Sequence, residues 1–277
     1  MKKMPNVVIR TLSGIAFVVA IVGCLLLGMS TYCVLFCLIT AVLLNEFNEL
    51  LANHSLAQVN NTVSVVSGVY LFIAFFCYCA GTAGSYIFAP YILSLIFVLV
   101  SGLYFKQDNP VSTWVYTFAG QLYVALPMAL LNVLAFNQVY SPLLPLAVFV
   151  FLWLNDTGAY CFGLTLGRKL PWKLFPSVSP KKSWVGSIGG GLVVLGGAAA
   201  FYVLADDGNL LFWLGLGLMV CVFGTWGDLV ESLFKRTLGI KDSGNILPGH
   251  GGMLDRFDSS LLAIPAAVVY LYTIMLF

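Results

Sequence analysis

Charged residues are scarce in this sequence of 277 residues, where Lys, Arg, Asp and Glu together make up 9%. A soluble domain usually carries about 25%, because it needs them to cover the surface that faces water. Hydrophobic residues make up 60% instead, and the mean hydropathy is +0.97. The composition excludes a soluble globular protein and a disordered chain. It predicts an all-α, polytopic integral membrane protein.

The sequence also lacks the spacing of a zinc site and the setting of an activated nucleophile. The 7 cysteines lie in or beside apolar segments, and none has zinc-ligand spacing with either of the 2 histidines. This pattern indicates cysteines that pack as small hydrophobic side chains. No serine or cysteine shows the setting of an activated nucleophile, so we expect no covalent enzyme intermediate.

Apolar runs bounded by glycine, proline, asparagine or charge predict about nine transmembrane helices. Their ranges are 12–29, 32–51, 63–80, 84–105, 114–136, 142–166, 184–205, 210–234 and 259–277. The basic start and first apolar run resemble a signal peptide, but the run continues to Leu27, which favours an uncleaved span. A glycine-rich stretch at 186–197 lies inside the seventh helix and predicts close helix packing.

Lysine and arginine are absent from one side of this arrangement. With a cytoplasmic N-terminus, all 13 basic residues fall on or at the edge of the cytoplasmic side, and one outward loop carries Asp206 and Asp207. Cytoplasmic loops hold the excess of basic residues in membrane proteins. The pattern predicts a cytoplasmic N-terminus and an outside C-terminus.

The few charges are also unevenly spread along the chain. Residues 1–155 hold seven, residues 156–258 hold seventeen and residues 259–277 hold none. This distribution predicts a scaffold of transmembrane helices over residues 1–140. It predicts a catalytic transmembrane region over residues 141–277, with its active site on the cytoplasmic side.

The predicted eighth helix carries Asp228, Glu231, Ser232 and Lys235 at i, i+3, i+4 and i+7. This spacing puts them on one helical face. A carboxylate within a span costs about 2.5–3.5 kcal/mol, so a pair of them needs a cation, a metal or water. A structural ion pair with Lys235 is the alternative explanation.

A turn rich in glycine and proline follows, over residues 241–258. Gly251 and Gly252 lack side chains, so their backbone N–H groups can approach a phosphate closely. Asp255 and Asp258 lie at i, i+3 where the last helix begins. Two acidic pairs at one membrane face suit Mg²⁺, which binds substrate phosphates. Basic residues alongside could hold phosphate oxygens: Lys235, Arg236, Lys241 and Arg256.

This combination predicts metal-assisted phosphoryl or nucleotidyl transfer. His250 is either a base or a structural residue of the turn. Upstream, Asp156 late in the sixth helix faces a polar interior or serves helix packing. The segment 179–183 supplies Ser179, Lys181 and Lys182, either for substrate phosphate or as an anchor to anionic lipid.

At these residues the chain resembles the phosphatidate cytidylyltransferase (CDP-diacylglycerol synthase) family. The signature of that family reads here, without a gap, as Ser232, Lys235, Arg236, Lys241, Asp242, His250, Gly251, Gly252, Asp255, Arg256 and Asp258. The segments 156–160 and 179–183 also resemble family motifs. Members often have glutamate where this chain has Val185, so no role is carried over to that position.

The resemblance implies that CTP and phosphatidic acid react to give CDP-diacylglycerol and pyrophosphate. It implies Mg²⁺, with Asp228 and Asp255 as first ligands among the metal set Asp228, Glu231, Asp255 and Asp258, and a second cation such as K⁺. It places the protein in a bacterial inner membrane. The expected catalytic residues are Asp228, Lys235, Arg236, Lys241, His250, Asp255 and Arg256. The expected substrate-binding residues are Asp156, Ser179, Lys181, Lys182, Ser232, Gly251 and Gly252.

Other functions remain open on the sequence alone. A transporter would distribute polar residues along a path through the bilayer, whereas the acids here gather at one face. A cytidylyltransferase for another lipid phosphate is an alternative that the sequence does not exclude. A CDP-alcohol phosphotransferase does not fit, because its spaced run of four acids is missing. No nucleic acid is expected as a partner, and a homodimer through the glycine-rich seventh helix is a further expectation.

Overall fold

The computed structural model describes residues 6–105, 109–167, 172–205, 209–244, 246 and 251–275. The chain divides into two compact units. The first comprises residues 1–142 and 242–256, and the second comprises residues 143–241 and 257–277. The functional division predicted at residue 140, into scaffold and catalytic regions, stays a prediction.

The first unit is built mainly from helices that satisfy their own backbone hydrogen bonds, as lipid requires. Helices α1 to α6 span Asn6–Leu27, Met29–Asn53, Asn61–Cys79, Ala89–Tyr104, Pro110–Gly120 and Leu126–Ala135. A 3-10 turn, Ser85–Phe88, precedes α4. Two short strands, β1 (Phe136–Asn137) and β2 (Val139–Tyr140), form an antiparallel hairpin after α6.

The predicted span at 114–136 is one apolar segment with an irregularity in its middle. A π-helical turn, Gln121–Ala125, joins α5 to α6. Pro127 follows two residues later and has no N–H to donate to a carbonyl in the preceding turn. Wide turns of this kind occur mostly as single insertions within α-helices. The proline therefore accounts for the local widening.

The second unit contains α7 (Leu143–Thr165), α8 (Trp184–Ala205) and α9 (Leu210–Thr237). Its hairpin of β3 (Lys173–Phe175) and β4 (Ser179–Ser183) lies between α7 and α8, in a segment predicted only as a loop. The last helix, α10, spans Leu254–Met275, and its residues from Phe257 onward belong to this unit.

The predicted fold class is confirmed. Within the described ranges, eight helical segments are long and apolar enough to cross a membrane. Helix α1 adds a shorter apolar stretch over Thr11–Leu27, where the first of the nine spans is predicted. The protein is thus an all-α, multi-pass membrane protein. The orientation of its N-terminus stays a prediction.

Buried polar side chains link the helices of the first unit. The Tyr32 hydroxyl donates to Asn132 Oδ1 over 3.1 Å, and Asn132 Nδ2 donates to the carbonyl of Phe72 over 3.3 Å. Gln121 Nε2 donates to the carbonyl of Ser64 over 2.9 Å. Such bonds matter in lipid, where apolar burial alone does little to hold helices together.

Glycines bring α7 and α8 into close contact in the second unit. A Cβ added at Gly190 would lie 2.6 Å from Asn155 Oδ1 and 2.7 Å from the Asn155 carbonyl oxygen. A Cβ added at Gly158 would lie 2.9 Å from the Gly190 Cα. The close packing predicted from the 186–197 stretch is therefore confirmed.

We expect Gly190→Ala to destabilise the second unit by about 1–3 kcal/mol, because the new methyl group overlaps the backbone of α7. Thermal unfolding of the purified protein in detergent measures this. Gly196→Ala is the matched control. Gly196 lies on the same helix, and a Cβ added there would meet nothing within 4 Å. Equal unfolding temperatures for the two variants would contradict the packing described.

Candidate active site

The β3–β4 hairpin carries the predicted phosphate-binding lysines toward the start of α8. Phe175 pairs with Ser179 and Lys173 with Ser183. The Ser183 hydroxyl accepts a hydrogen bond of 3.1 Å from the Gly186 N–H and so caps one of the donors at the start of α8. This hydrogen bond fixes the position of the strand that carries Lys181 and Lys182 relative to the start of α8.

Lys182 meets the face of α9 that the spacing predicts. Its Nζ lies 2.6 Å from Asp228 Oδ2, and the Ser232 hydroxyl donates to Asp228 Oδ1 over 3.1 Å. The Lys182 and Asp228 side chains are 25% and 31% exposed, so the pair remains within reach of water and of a ligand. Ser232, predicted to bind substrate, contacts Asp228 here.

A second ion pair follows one turn along α9. Lys235 Nζ contacts Glu231 Oε2 at i, i+4 spacing. The Glu231 side chain is fully buried and that of Lys235 is 11% exposed. This is the ion-pair alternative that the helical spacing leaves open. It places Glu231, a predicted metal ligand, and Lys235, a predicted catalytic residue, against each other.

Carboxylates gather where α9 and α10 approach. A Cβ added at Gly227 would lie 2.6 Å from the Asp258 carbonyl oxygen and 3.0 Å from the Ser259 Cα, so glycine permits this approach. The Asp258 carboxylate accepts from the Ser259 N–H over 2.5 Å. It also experiences charge repulsion from Asp228, Glu231 and Asp156. Asp228, Glu231 and Asp156 thus lie near enough to Asp258 for their charges to act on it.

A cavity of about 210 Å³ lies beside this cluster. Its polar lining comes from α7, the hairpin, α8, α9 and α10: Asn155, Asp156, Tyr160, Lys181, Lys182, Ser183, Ser187, Thr225 and Ser259. The structure therefore brings together Asp156, Lys181 and Lys182, which the sequence assigns to substrate binding. The two lysines can bind the phosphate of a ligand in this cavity, and Asp156 lies beside them.

The carboxylate oxygens of this cluster are of the kind that magnesium prefers. Among the described side chains, no three of His, Cys, Asp and Glu are arranged as a closed metal cage. Mg²⁺ does not need such a cage, because it is usually held by one or two carboxylates with substrate phosphates and water. The all-oxygen donors and their mutual repulsion fit such an ion at Asp228 and Asp258. Metal binding itself stays a prediction.

Residues 251–255 form a separate turn in the first unit. The Asp255 Oδ2 accepts backbone N–H groups from Ser243 and Gly252, each over 2.9 Å. Gly251 has φ of +81°, a conformation that favours glycine. A Cβ on Gly252 would overlap Glu46 Oε1 and Ser243 Oγ. The predicted Gly251, Gly252 and Asp255 therefore form one ordered turn.

Sequence reasoning missed Glu46, which contacts this turn from α2. Its Oε1 accepts from the Ser243 hydroxyl over 3.1 Å and its Oε2 accepts from the Leu254 N–H over 2.7 Å. The signal was present, because an ionisable residue inside an apolar helix is itself an indication of function. Glu46 was overlooked because the early helices were assigned to a scaffold.

Those of the remaining predicted residues that the structure describes lie at exposed or half-buried positions. The Arg236 Nη1 donates to the carbonyl of Ile240 over 3.0 Å, near the end of α9. Lys241 and Arg256 are exposed, and Ser179 is half-buried on β4. His250 lies outside the residues that the structure describes. The catalytic roles of these residues stay predictions.

Comparison with known proteins gives matches over almost the whole chain. The model of the cytidylyltransferase family matches residues 8–274. A phosphatidate cytidylyltransferase of Staphylococcus haemolyticus (strain JCSC1435) is 33% identical over 265 residues, covering 93% of this chain and 96% of the relative. One of Staphylococcus aureus (strain COL) is 32% identical over 264 residues, with the same coverage. One of Staphylococcus saprophyticus is 45% identical over 131 residues, covering 47% of this chain and 49% of the relative.

We expect Lys235→Met to destabilise the protein by about 3–5 kcal/mol, because it leaves the buried Glu231 carboxylate without its ion-pair partner. Thermal unfolding in detergent measures the loss. The double variant Lys235→Met with Glu231→Gln removes both charges and should recover most of the stability. A double variant no more stable than Lys235→Met alone would show that the pair is not the cause.

Proposed function

The chain belongs to the cytidylyltransferase family, and on that premise we propose that it transfers CMP from CTP to phosphatidic acid. The products are CDP-diacylglycerol and pyrophosphate. The relatives at 32–33% identity carry the name phosphatidate cytidylyltransferase, and the alignment covers 96% of their length. Membership of a nucleotidyltransferase family also sets aside the transporter that the sequence alone leaves open.

One observation carries the proposal most directly: the cavity at which Asp156, Lys181 and Lys182 meet beside the Lys182–Asp228 pair. Both substrates bear phosphate groups, and lysine ammonium groups bind phosphate oxygens as point charges. The Lys182–Asp228 ion pair is partly exposed, so an incoming phosphate can bind Lys182 without breaking a buried ion pair. Asp228 then retains the Ser232 hydroxyl as a hydrogen-bond donor.

The proposed reaction is a direct displacement. A phosphate oxygen of phosphatidic acid attacks the α-phosphorus of CTP, and a new P–O bond forms as the bond to the bridging oxygen of pyrophosphate breaks. Lys181 and Lys182 neutralise the phosphate charge that builds up on the reacting groups. Positioning and charge stabilisation of this kind account for most of the catalysis in phosphoryl-type transfer.

Magnesium fits the oxygen donors of the second unit, where Asp228 and Asp258 would hold it. When bound, it would neutralise charge on the phosphate oxygens of the substrates. Asp255 remains a predicted ligand on sequence grounds, and a second cation such as K⁺ remains an expectation.

The membrane setting suits this pair of substrates. The phosphate of an anionic lipid lies at headgroup level, whereas CTP arrives from water. We place the site on the cytoplasmic face of a bacterial inner membrane, because the basic residues then follow the positive-inside pattern. An active site near helix ends serves both substrates without moving the lipid phosphate into the hydrocarbon core.

We expect the purified protein, with Mg²⁺ and labelled CTP, to form CDP-diacylglycerol and pyrophosphate in equal amounts. The reaction should require phosphatidic acid in mixed micelles and should stop on chelation of divalent cations. Thin-layer analysis of the labelled lipid and a pyrophosphate assay measure the products.

A parallel reaction with polyprenyl phosphate tests the lipid. Turnover with the polyprenyl phosphate and none with phosphatidic acid would overturn the substrate but keep the reaction class. Absence of CTP turnover with either lipid would overturn the nucleotidyl transfer itself.

We expect Lys182→Met to lower kcat/KM for CTP by about 100-fold, because one preorganised cation is lost from the phosphate site. Lys173→Met is the matched control, since Lys173 is an exposed lysine on the partner strand of the same hairpin. Steady-state kinetics in mixed micelles measure both variants. Equal losses in the two variants would mean that Lys182 contributes only to the general charge of the hairpin.

A further inference from the structure

Glu46 is a buried acid in the part of the chain that composition assigns to scaffold. It lies in the second half of α2 and is 3% exposed. Placing a carboxylate inside an apolar helix is unfavourable unless polar partners compensate it. Its partners here are the residues of the turn that precedes α10.

The carboxylate joins two separate parts of that turn. One oxygen accepts from the Ser243 hydroxyl over 3.1 Å, and the other accepts from the Leu254 N–H over 2.7 Å. Leu254 is the first residue of α10, so its N–H has no partner within that helix. Glu46 therefore supplies, from α2, a hydrogen bond that caps α10.

Two glycines make room for this carboxylate. A Cβ on Gly244 or on Gly252 would overlap Glu46 Oε1. Two glycines beside a carboxylate are not what apolar packing alone would require at this position. The arrangement instead suits an acceptor that binds the Ser243 hydroxyl and the Leu254 N–H at the same time.

Asp255 completes the connection to the predicted chemistry. Its Oδ2 accepts the N–H groups of Ser243 and Gly252, each over 2.9 Å. Ser243 thus donates its hydroxyl to Glu46 and its N–H to Asp255. A displacement of Ser243 or Leu254 would move the Asp255 carboxylate with it.

From these contacts we propose that Glu46 is a positioning residue, which holds the turn of Ser243 and Gly252–Asp255 so that Asp255 is correctly placed for nucleotidyl transfer. The inference rests on the proposed function, because it assigns Asp255 to that reaction. Glu46 acts through the turn and is not itself a catalytic residue.

Glu46→Gln tests the proposal with little change of shape. A carboxylate oxygen accepts from each donor, whereas glutamine keeps one acceptor oxygen and replaces the other with an NH2 group that cannot accept, so one of the two hydrogen bonds is lost. We expect kcat to fall about tenfold or more, with KM for CTP and phosphatidic acid within about threefold of wild type. We also expect about tenfold faster hydrogen exchange in the segment 251–256, because the turn then keeps only one of the two hydrogen bonds that it donates to the side chain at position 46.

Glu49→Gln is the matched control. Glu49 lies one turn along α2, is exposed, and accepts a hydrogen bond from Asn45 over 2.7 Å. It should leave both kcat and the exchange of residues 251–256 unchanged. The unfolding temperature of each variant in detergent separates a local change from general destabilisation.

A second variant reaches the same contact from the other side. Gly252→Ala introduces a methyl group where the Glu46 carboxylate lies, so it should reproduce the fall in kcat and the faster exchange. Because both changes disturb one contact, the double variant should lose little more than the more damaging single variant. Fully additive losses in the double variant would overturn the proposal.

The outcomes for this inference and for the proposed function are distinct. Inactivity of the wild-type protein with CTP and phosphatidic acid would overturn the proposed function. Unchanged exchange at 251–256 in Glu46→Gln would overturn the positioning role whether or not the enzyme is active. In an active enzyme, faster exchange with unchanged kcat would overturn it too, since the turn would then not matter to the reaction.

Discussion

A carboxylate in a membrane-spanning helix must find compensating charge or hydrogen-bond donors, and the polar architecture of this protein follows from that constraint. In the second unit the fully buried Glu231 meets Lys235 one turn away, while Asp228 meets Lys182 from the hairpin. Neither acid is left to face lipid alone. The two pairs nevertheless differ in exposure. The Glu231–Lys235 pair is buried, as a structural ion pair would be, whereas a ligand can reach the partly exposed Lys182–Asp228 pair.

The same constraint is met in another way in the first unit. Glu46 is compensated by a hydroxyl and a backbone N–H from the turn before α10. Asp255 likewise accepts two backbone N–H groups. Backbone donors occupy fixed positions once the turn is formed, whereas a lysine side chain can move. The acids of the first unit are therefore compensated largely by backbone donors, whereas Asp228 in the second unit pairs with a side chain.

Glycine has a separate part in the site, because it lets helices approach until their polar groups meet. Gly190 allows α8 to lie against the backbone of α7 at Asn155, and Gly227 allows α9 to lie against α10 at Asp258 and Ser259. Close approach of this kind is a common basis of packing between helices in lipid, where small residues increase van der Waals contact. The cavity and the gathered carboxylates of the second unit depend on these approaches.

The sequence by itself determined the all-α membrane fold, since scarce charge and long apolar runs leave helices as the segments able to span lipid. Its motifs also predicted Asp156, Lys181, Lys182 and Asp228 as site residues, and the spacing on α9 predicted one polar face. The i, i+4 spacing already allowed the Glu231–Lys235 pair, whereas only the tertiary structure decided that Lys182 contacts Asp228 and that Ser243 and Leu254 contact Glu46. The physical reason is that helical periodicity fixes which residues share a face, whereas contacts between segments nearly 200 residues apart depend on how those segments pack.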